Sequence, residues 1–171
     1  MDFDPIQMQG MIRYANRVRI KDEDLAQHSF GVAYYCFQIC HQYGLPLDIT
    51  YKSVAMGVIH DIGECFTSDL PHDVKYENPE LKTLCDQLER RYIFFIPEIK
   101  DLWCELEDNK DSLYYWIVKL ADTKSVISYV KREIELGNKT KEMKEIEIES
   151  MNRYEEYKKI LDQKVGEYYE Q

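Results

Sequence analysis

Apolar residues recur along much of the chain at steps of mostly three and four, the period of a helix that turns one face to a core. Val32, Tyr35, Phe37 and Ile39 follow His28 in a segment running to about Tyr43. Val54, Val58, Ile59 and Ile62 surround His60 in the next. Leu113, Trp116, Ile117, Leu120, Val126 and Val130 pattern a long helix across Asp122. Met143, Ile146, Met151, Tyr154, Tyr157, Leu161, Val165 and Tyr168 pattern the last, an amphipathic helix over about 139–168 with a strongly charged outer face. Short breaks separate these stretches: Gly44-Leu45-Pro46, Ser68-Asp69-Leu70-Pro71, Asn78-Pro79, Ile96-Pro97 and Gly137-Asn138. No repeat, low-complexity stretch or linker interrupts them. The pattern predicts an all-α protein, one domain over 1–171 built as a bundle of about six helices.

Composition narrows the function. With 171 residues, 44% of them apolar, the chain can bury a single core. Only 7 glycines and 5 prolines are present, too few for the many turns of a strand-rich fold. The net charge of −10, without a Lys/Arg cluster, argues against binding a nucleic-acid polymer, whose phosphates attract basic surfaces. An acidic protein can still hold one small phosphate ester through a metal or one or two basic side chains. The cysteines, Cys36, Cys40, Cys65, Cys85 and Cys104, are odd in number and form no C-x-x-C pair. A disulfide framework or zinc knuckle is therefore not expected, and the cytoplasm suits them. The acidic N-terminus, Met-Asp-Phe-Asp, does not resemble a signal peptide, and no run reaches the ~18 apolar residues of a membrane span.

Candidate chemistry centres on Val58-Ile59-His60-Asp61-Ile62-Gly63-Glu64. Adjacent helical residues diverge by about 100°, yet His60 and Asp61 can both reach an ion lying off the helix between them. Glu64, at i+4 from His60, is expected on the same face. His28 precedes Val32 and Tyr35 on one helix face, and Asp122 lies between Val118 and Val126 on another. Taken singly, each has a plainer explanation: a helix-face His is usually a satisfied core or surface residue, and a lone Asp can pair with a buried Lys or Arg. Together, two imidazoles and two carboxylates suit one divalent transition metal, Co, Mn, Zn, Ni or Fe, with positions left for water and substrate. Of the remaining His, His41 and His72, only His72 falls between Asp61 and Asp122.

These residues, in this order, resemble the signature of the HD-domain phosphohydrolase superfamily: His28, then His60-Asp61, then Asp122. Within it, the stretch from His60-Asp61-Ile62-Gly63-Glu64 through Asp69-Leu70-Pro71 to Val74-Lys75-Tyr76 resembles the YfbR-like 5′-deoxynucleotidases. Val118-Lys119-Leu120-Ala121-Asp122 resembles their helix bearing the last ligand, and Glu133-Ile134-Glu135-Leu136-Gly137-Asn138 resembles its end. Asn16-Arg17 and Gln27-His28-Ser29 resemble their N-R and E-H-S elements.

The resemblance implies a metal-dependent enzyme that removes phosphate from (deoxy)nucleoside 5′-monophosphates, usually as a homodimer. His28, His60, Asp61 and Asp122 would hold the metal. Glu64 would help generate and orient the attacking water, Arg17 would contact the substrate phosphate, and Asp69 would accept hydrogen bonds from the sugar hydroxyl. Lys75 is a further candidate for phosphate binding. Lys119 could also assist, although a solvated or structural role is the commoner one for both lysines. The chain departs from the family where Val18 stands for the Trp after N-R, where the loop from Arg17 to His28 is shorter, and where Gln27 replaces Glu. The first two leave the choice between ribose and deoxyribose open. Two other readings stand beside this one: a dATP-type triphosphohydrolase on the same scaffold, and a catalytically silent nucleotide-binding or scaffolding module.

Overall fold

Side-chain caps and prolines set the helix boundaries of the computed structural model, which describes residues 3–68, 70 and 72–170. The Asp24 carboxylate accepts the Gln27 N–H and opens α1 (Leu25–Gln42), which ends before Gly44. Pro46 precedes α2 (Leu47–Ile59). Two short helices follow, α3 (Glu64–Thr67) and α4 (His72–Glu77). Asn78 caps α5 (Pro79–Ile93), with proline at its first position, and Pro97 likewise begins α6 (Pro97–Asp108). Ser112 caps α7 (Leu113–Glu135), and Thr140 caps α8 (Lys141–Tyr169). Six of these helices have 12 or more residues, so the bundle matches the expectation from periodicity. A 3-10 segment, Pro5–Gly10, packs against α1.

The main core lies where α1, α2 and α7 meet, with α8 closing it along α7. Val32, Cys36 and Ile39 of α1 face Met56 of α2 and Ile117, Leu120 and Ala121 of α7, while Leu161 of α8 seals one side. Gly57 lets α1 and α2 approach closely, since a Cβ there would sit 3.3 Å from the Ala33 backbone. That approach brings the His28 and His60 rings to 5.3 Å between centroids.

The structure corrects three apolar assignments. Phe37, Val58 and Met151 are exposed, and Cys36, Gly57 and Ser150, each one position earlier, are buried. A helical stripe is wide enough to tolerate a shift of one position, so periodicity alone leaves its edge undefined. A second correction concerns the helix through His60. It ends at Ile59, and residues 60–63 continue as tight i→i+3 turns, with Ile62 N–H bonded to Ile59 O and Glu64 N–H to Asp61 O. Three residues per turn aligns Glu64 with Asp61 rather than with His60.

No helix among the described residues is long and apolar enough to cross a membrane.

Candidate metal centre

Four side chains from three chain segments converge. His28 comes from the first turn of α1, His60 and Asp61 from the end of α2 and the turn after it, and Asp122 from the middle of α7. One ligand atom from each lies within 4.8 Å of all the others. His28 is fully buried, and its Nε2 lies 3.2 Å from Asp122 Oδ1 and 3.6 Å from Asp61 Oδ2. His60 Nε2 lies 3.0 Å from Asp61 Oδ2. These are the four residues expected from the sequence to bind metal.

The donor set fits one divalent cation. His60 Nδ1 lies 2.8 Å from the Gly57 carbonyl, which can only accept, so the proton sits on Nδ1 and Nε2 faces the cluster. Both ring nitrogens of His28 are buried without a hydrogen bond, as is His60 Nε2. Orphaned imidazole nitrogens beside two carboxylates are costly unless a cation or a proton is shared among them.

The electrostatics agree. Burial disfavours charge on Asp61, yet the His60 and His28 rings hold its pKa well below the usual carboxylate range. Asp122 is lowered as well, the burial that opposes its charge being outweighed by the His28 ring 3.2 Å away. Burial opposes charge on the His60 ring, but Asp61 and then Asp122 raise its pKa. The carboxylates stay ionised and draw a proton onto the His60 ring, which a divalent cation would displace.

Arg13 completes the site. Its Nη1 lies 3.3 Å from Asp61 Oδ2 and its Nε 3.5 Å from Glu23 Oε2. Burial works against its charge, while Tyr14, Asp61, Asp122 and Glu64 hold it protonated. Arg13 reaches the cluster because the chain doubles back: Ile12 pairs with Asp24, and Arg13 N–H bonds to Glu23 O. Tyr14 follows with a φ of 55° and stacks on Tyr129 of α7 at 5.1 Å, the planes 1° apart. Lys119, one turn before Asp122 on α7, is a second cation beside the centre. It lines a narrow cleft with His60, Asp61, Glu107 and Tyr115, and Asp122 keeps it protonated against the cost of burial.

The other sequence candidates are placed as follows. Arg17 Nη1 lies 3.4 Å from Glu142 Oε1 on α8. Glu64 is half-buried at the start of α3. Lys75 Nζ lies 3.0 Å from Glu89 Oε1, which also accepts from Thr67. Asp69 lies outside the described residues. Sequence reasoning missed Arg13 and Glu23. The available signal was the dipeptide Arg13-Tyr14, an arginine followed by an aromatic, upstream of His28. A separate apolar cavity of about 280 Å³, lined by Phe3, Gln7, Cys65, Phe66, Tyr92, Phe95 and Ile96, contains none of these groups.

Comparison with known proteins follows the same outline. The model of the YfbR-like 5′-deoxynucleotidase family matches residues 6–167. A 5′-deoxynucleotidase of Pasteurella multocida is 29% identical over 77% of this chain and 72% of its own length. One of Shewanella oneidensis is 30% identical over 65% of this chain and 62% of its own. The chain thus spans about two thirds of the length of these relatives. Among solved structures, the HD-domain phosphohydrolase of Listeria innocua superposes with a TM-score of 0.73 at 20% identity, over 97% of this chain and 82% of that one. The HD phosphohydrolase of cyanophage S-2L, bound to dA and one catalytic Zn2+ ion, superposes with a TM-score of 0.72 at 17% identity, over 98% and 96%. The fold is therefore the all-helical HD type, and with a match over almost its whole length the chain belongs to the YfbR-like 5′-deoxynucleotidase family.

Proposed function

We propose that this chain is a metal-dependent phosphohydrolase that removes phosphate from (deoxy)nucleoside 5′-monophosphates. The observation that carries this reading is the four-residue cluster, with its buried, unbonded imidazole nitrogens, set directly beside a buried arginine. His28, His60, Asp61 and Asp122 hold one divalent transition metal, drawn from Co, Mn, Zn, Ni or Fe. The ion supplies Lewis acidity, which makes water easier to deprotonate and offsets charge developing on the phosphoryl oxygens.

The chain's own groups do the rest. Arg13 forks onto phosphate oxygens, a geometry its planar guanidinium provides and lysine does not. Arg13-Tyr14 thus takes the place that the family resemblance gave to Arg17-Val18. That shift restores an aromatic after the arginine and lengthens the loop before His28 by four residues (17 − 13). Glu64, aligned with Asp61 across one tight turn, accepts the proton of the attacking water. Asp69 remains the candidate for the sugar hydroxyl. Lys75 pairs with Glu89 and remains a further candidate for the phosphate, and Lys119 adds positive charge beside Asp61.

The enzyme acts in the cytoplasm, where its five free cysteines stay reduced. It pairs with a second copy through α1, where Phe30, Tyr34 and Phe37 are 74%, 54% and 43% exposed along one face.

A chromatographic product assay on dAMP, AMP, dATP and ATP tests the reading, with Co or Mn present and a chelator as control. Chelator-sensitive phosphate release from dAMP is expected. Triphosphate release from dATP would move the chain to triphosphohydrolysis, and intact substrates with metal bound would make it a binding module.

A further inference from the structure

Asp122 and Glu133 lie 11 residues apart on α7 (133 − 122), three turns, so they share a face about 16 Å apart. Val126 and Tyr129 lie between them on that face. The loop 12–24 runs along it. Its neck is held by the Ile12–Asp24 pairing and by Leu25 N–H on Met11 O. Its far end reaches the C-terminus of α7. There Glu133, fully buried, accepts the Ile20 N–H on Oε2 and the Lys21 N–H on Oε1, both at 2.7 Å. The Asn138 amide donates to the Val18 carbonyl and to Glu133 Oε2, each at 2.8 Å. Tyr129 donates its hydroxyl to Lys21 O.

Gly137 makes this possible. Its φ of +109° turns the chain so that Asn138 N–H bonds back to Glu133 O and Gly137 N–H to Ile134 O, a Schellman ending that returns Asn138 to the Glu133 side chain. A carboxylate at a helix C-terminus is disfavoured by the helix dipole and by burial. What it offers in return is orientation: two converging N–H bonds fix two successive peptides of the loop. The loop needs such fixing, because Tyr14 beside Arg13 is held in the left-handed region, where a non-glycine residue relaxes unless its surroundings over-determine it.

We infer that Glu133 and Asn138 form a clamp that holds the loop 12–24 along α7, and that Glu133 is a positioning residue which keeps Arg13 at the metal centre for the substrate phosphate. This rests on the reading of Arg13 as the phosphate contact. A loosened loop presents Arg13 only part of the time, which weakens substrate binding in proportion and leaves the metal ligands in place.

The test compares Glu133→Gln, Asn138→Ala, Arg13→Ala and the double variant Glu133→Gln/Arg13→Ala, each checked for folding by circular dichroism and for metal content. With dAMP as substrate, a clamp closed a tenth of the time raises KM about tenfold and leaves kcat within about twofold. Adding Glu133→Gln to Arg13→Ala is expected to raise KM no further. Trypsin should cut after Arg17, Arg19 or Lys21 faster in both clamp variants, a readout that needs neither metal nor turnover. If Glu133→Gln does not fold, Asn138→Ala, which leaves the Glu133 bonds to Ile20 and Lys21 in place, decides by the same measures. Unchanged cleavage overturns the clamp whatever the enzyme hydrolyses. A raised KM for Arg13→Ala with none for the clamp variants overturns the positioning role and leaves the phosphate contact standing. An unchanged KM for Arg13→Ala removes the phosphate contact and the positioning role with it. Additive losses in the double variant would show Glu133 acting through general stability and refute the proposal.

Discussion

Arg13→Ala and Arg17→Ala separate the proposed phosphate contact from the one that the family resemblance implied. The Arg13 side chain is 11% exposed and sits between Asp61 at 3.3 Å and Glu23 at 3.5 Å. Truncating it leaves Glu23, 15% exposed, without its cation. Breaking a fully buried pair costs about 3–5 kcal/mol, and the partial exposure here brings the estimate to about 2 kcal/mol. Against a typical total of about 5–15 kcal/mol the variant stays folded. The kinetic loss is larger relative to background. A hydrogen bond to a charged group contributes about 1.5–3 kcal/mol, which is about 10- to 150-fold in kcat/KM. Arg13→Lys keeps the charge without the fork and is expected to fall between that variant and the wild type. Arg17 pairs with Glu142 across a surface where the two side chains are 26% and 50% exposed. Such a pair contributes about 0–1 kcal/mol, so Arg17→Ala is expected to change kcat/KM by no more than about fivefold. Steady-state phosphate release from dAMP, with urea melts of each variant, measures both quantities. A large loss for Arg17→Ala together with near-normal turnover for Arg13→Ala would refute the assignment.

Two further outcomes follow from the metal centre. A cation at 100 times its Kd adds about 2.7 kcal/mol, and at about 2–4 °C per kcal/mol for a chain of this size the Tm should rise by about 5–11 °C. A chelator should reverse the rise and His28→Ala should abolish it, and a thermal scan that responds to none of Co, Mn, Zn, Ni and Fe would show that the cluster holds no such ion. Glu64→Gln should retain metal while losing about 100- to 10,000-fold in kcat, and normal turnover in that variant would exclude Glu64 from handling the water proton.

Much of this protein is legible in its sequence. His28, His60, Asp61 and Asp122 stood out because charged or ligating groups on apolar helical stripes need a reason to be there. Their meeting required only that three such stripes face one core, which the Gly57 contact between α1 and α2 permits. Helix ends were legible too, because Asn78-Pro79, Ile96-Pro97 and Gly137-Asn138 act on their own backbone.

The sequence by itself therefore indicated the main helices, their order and the four residues that converge, since propensity, capping and amphipathic periodicity are local properties. Only the tertiary structure shows which arginine lies beside the cluster. Arg13, Arg17 and Arg19 lie within one irregular loop that has no period from which to read a facing direction. Long-range bonds tie the two ends of that loop, Ile12 with Asp24 and Glu133 with Ile20 and Lys21, and Arg13 lies beside Asp61. The tightening after Ile59, which aligns Glu64 with Asp61, was likewise hidden, because 3-10 and α-helical turns share the same residue preferences and differ only in which carbonyl each N–H finds.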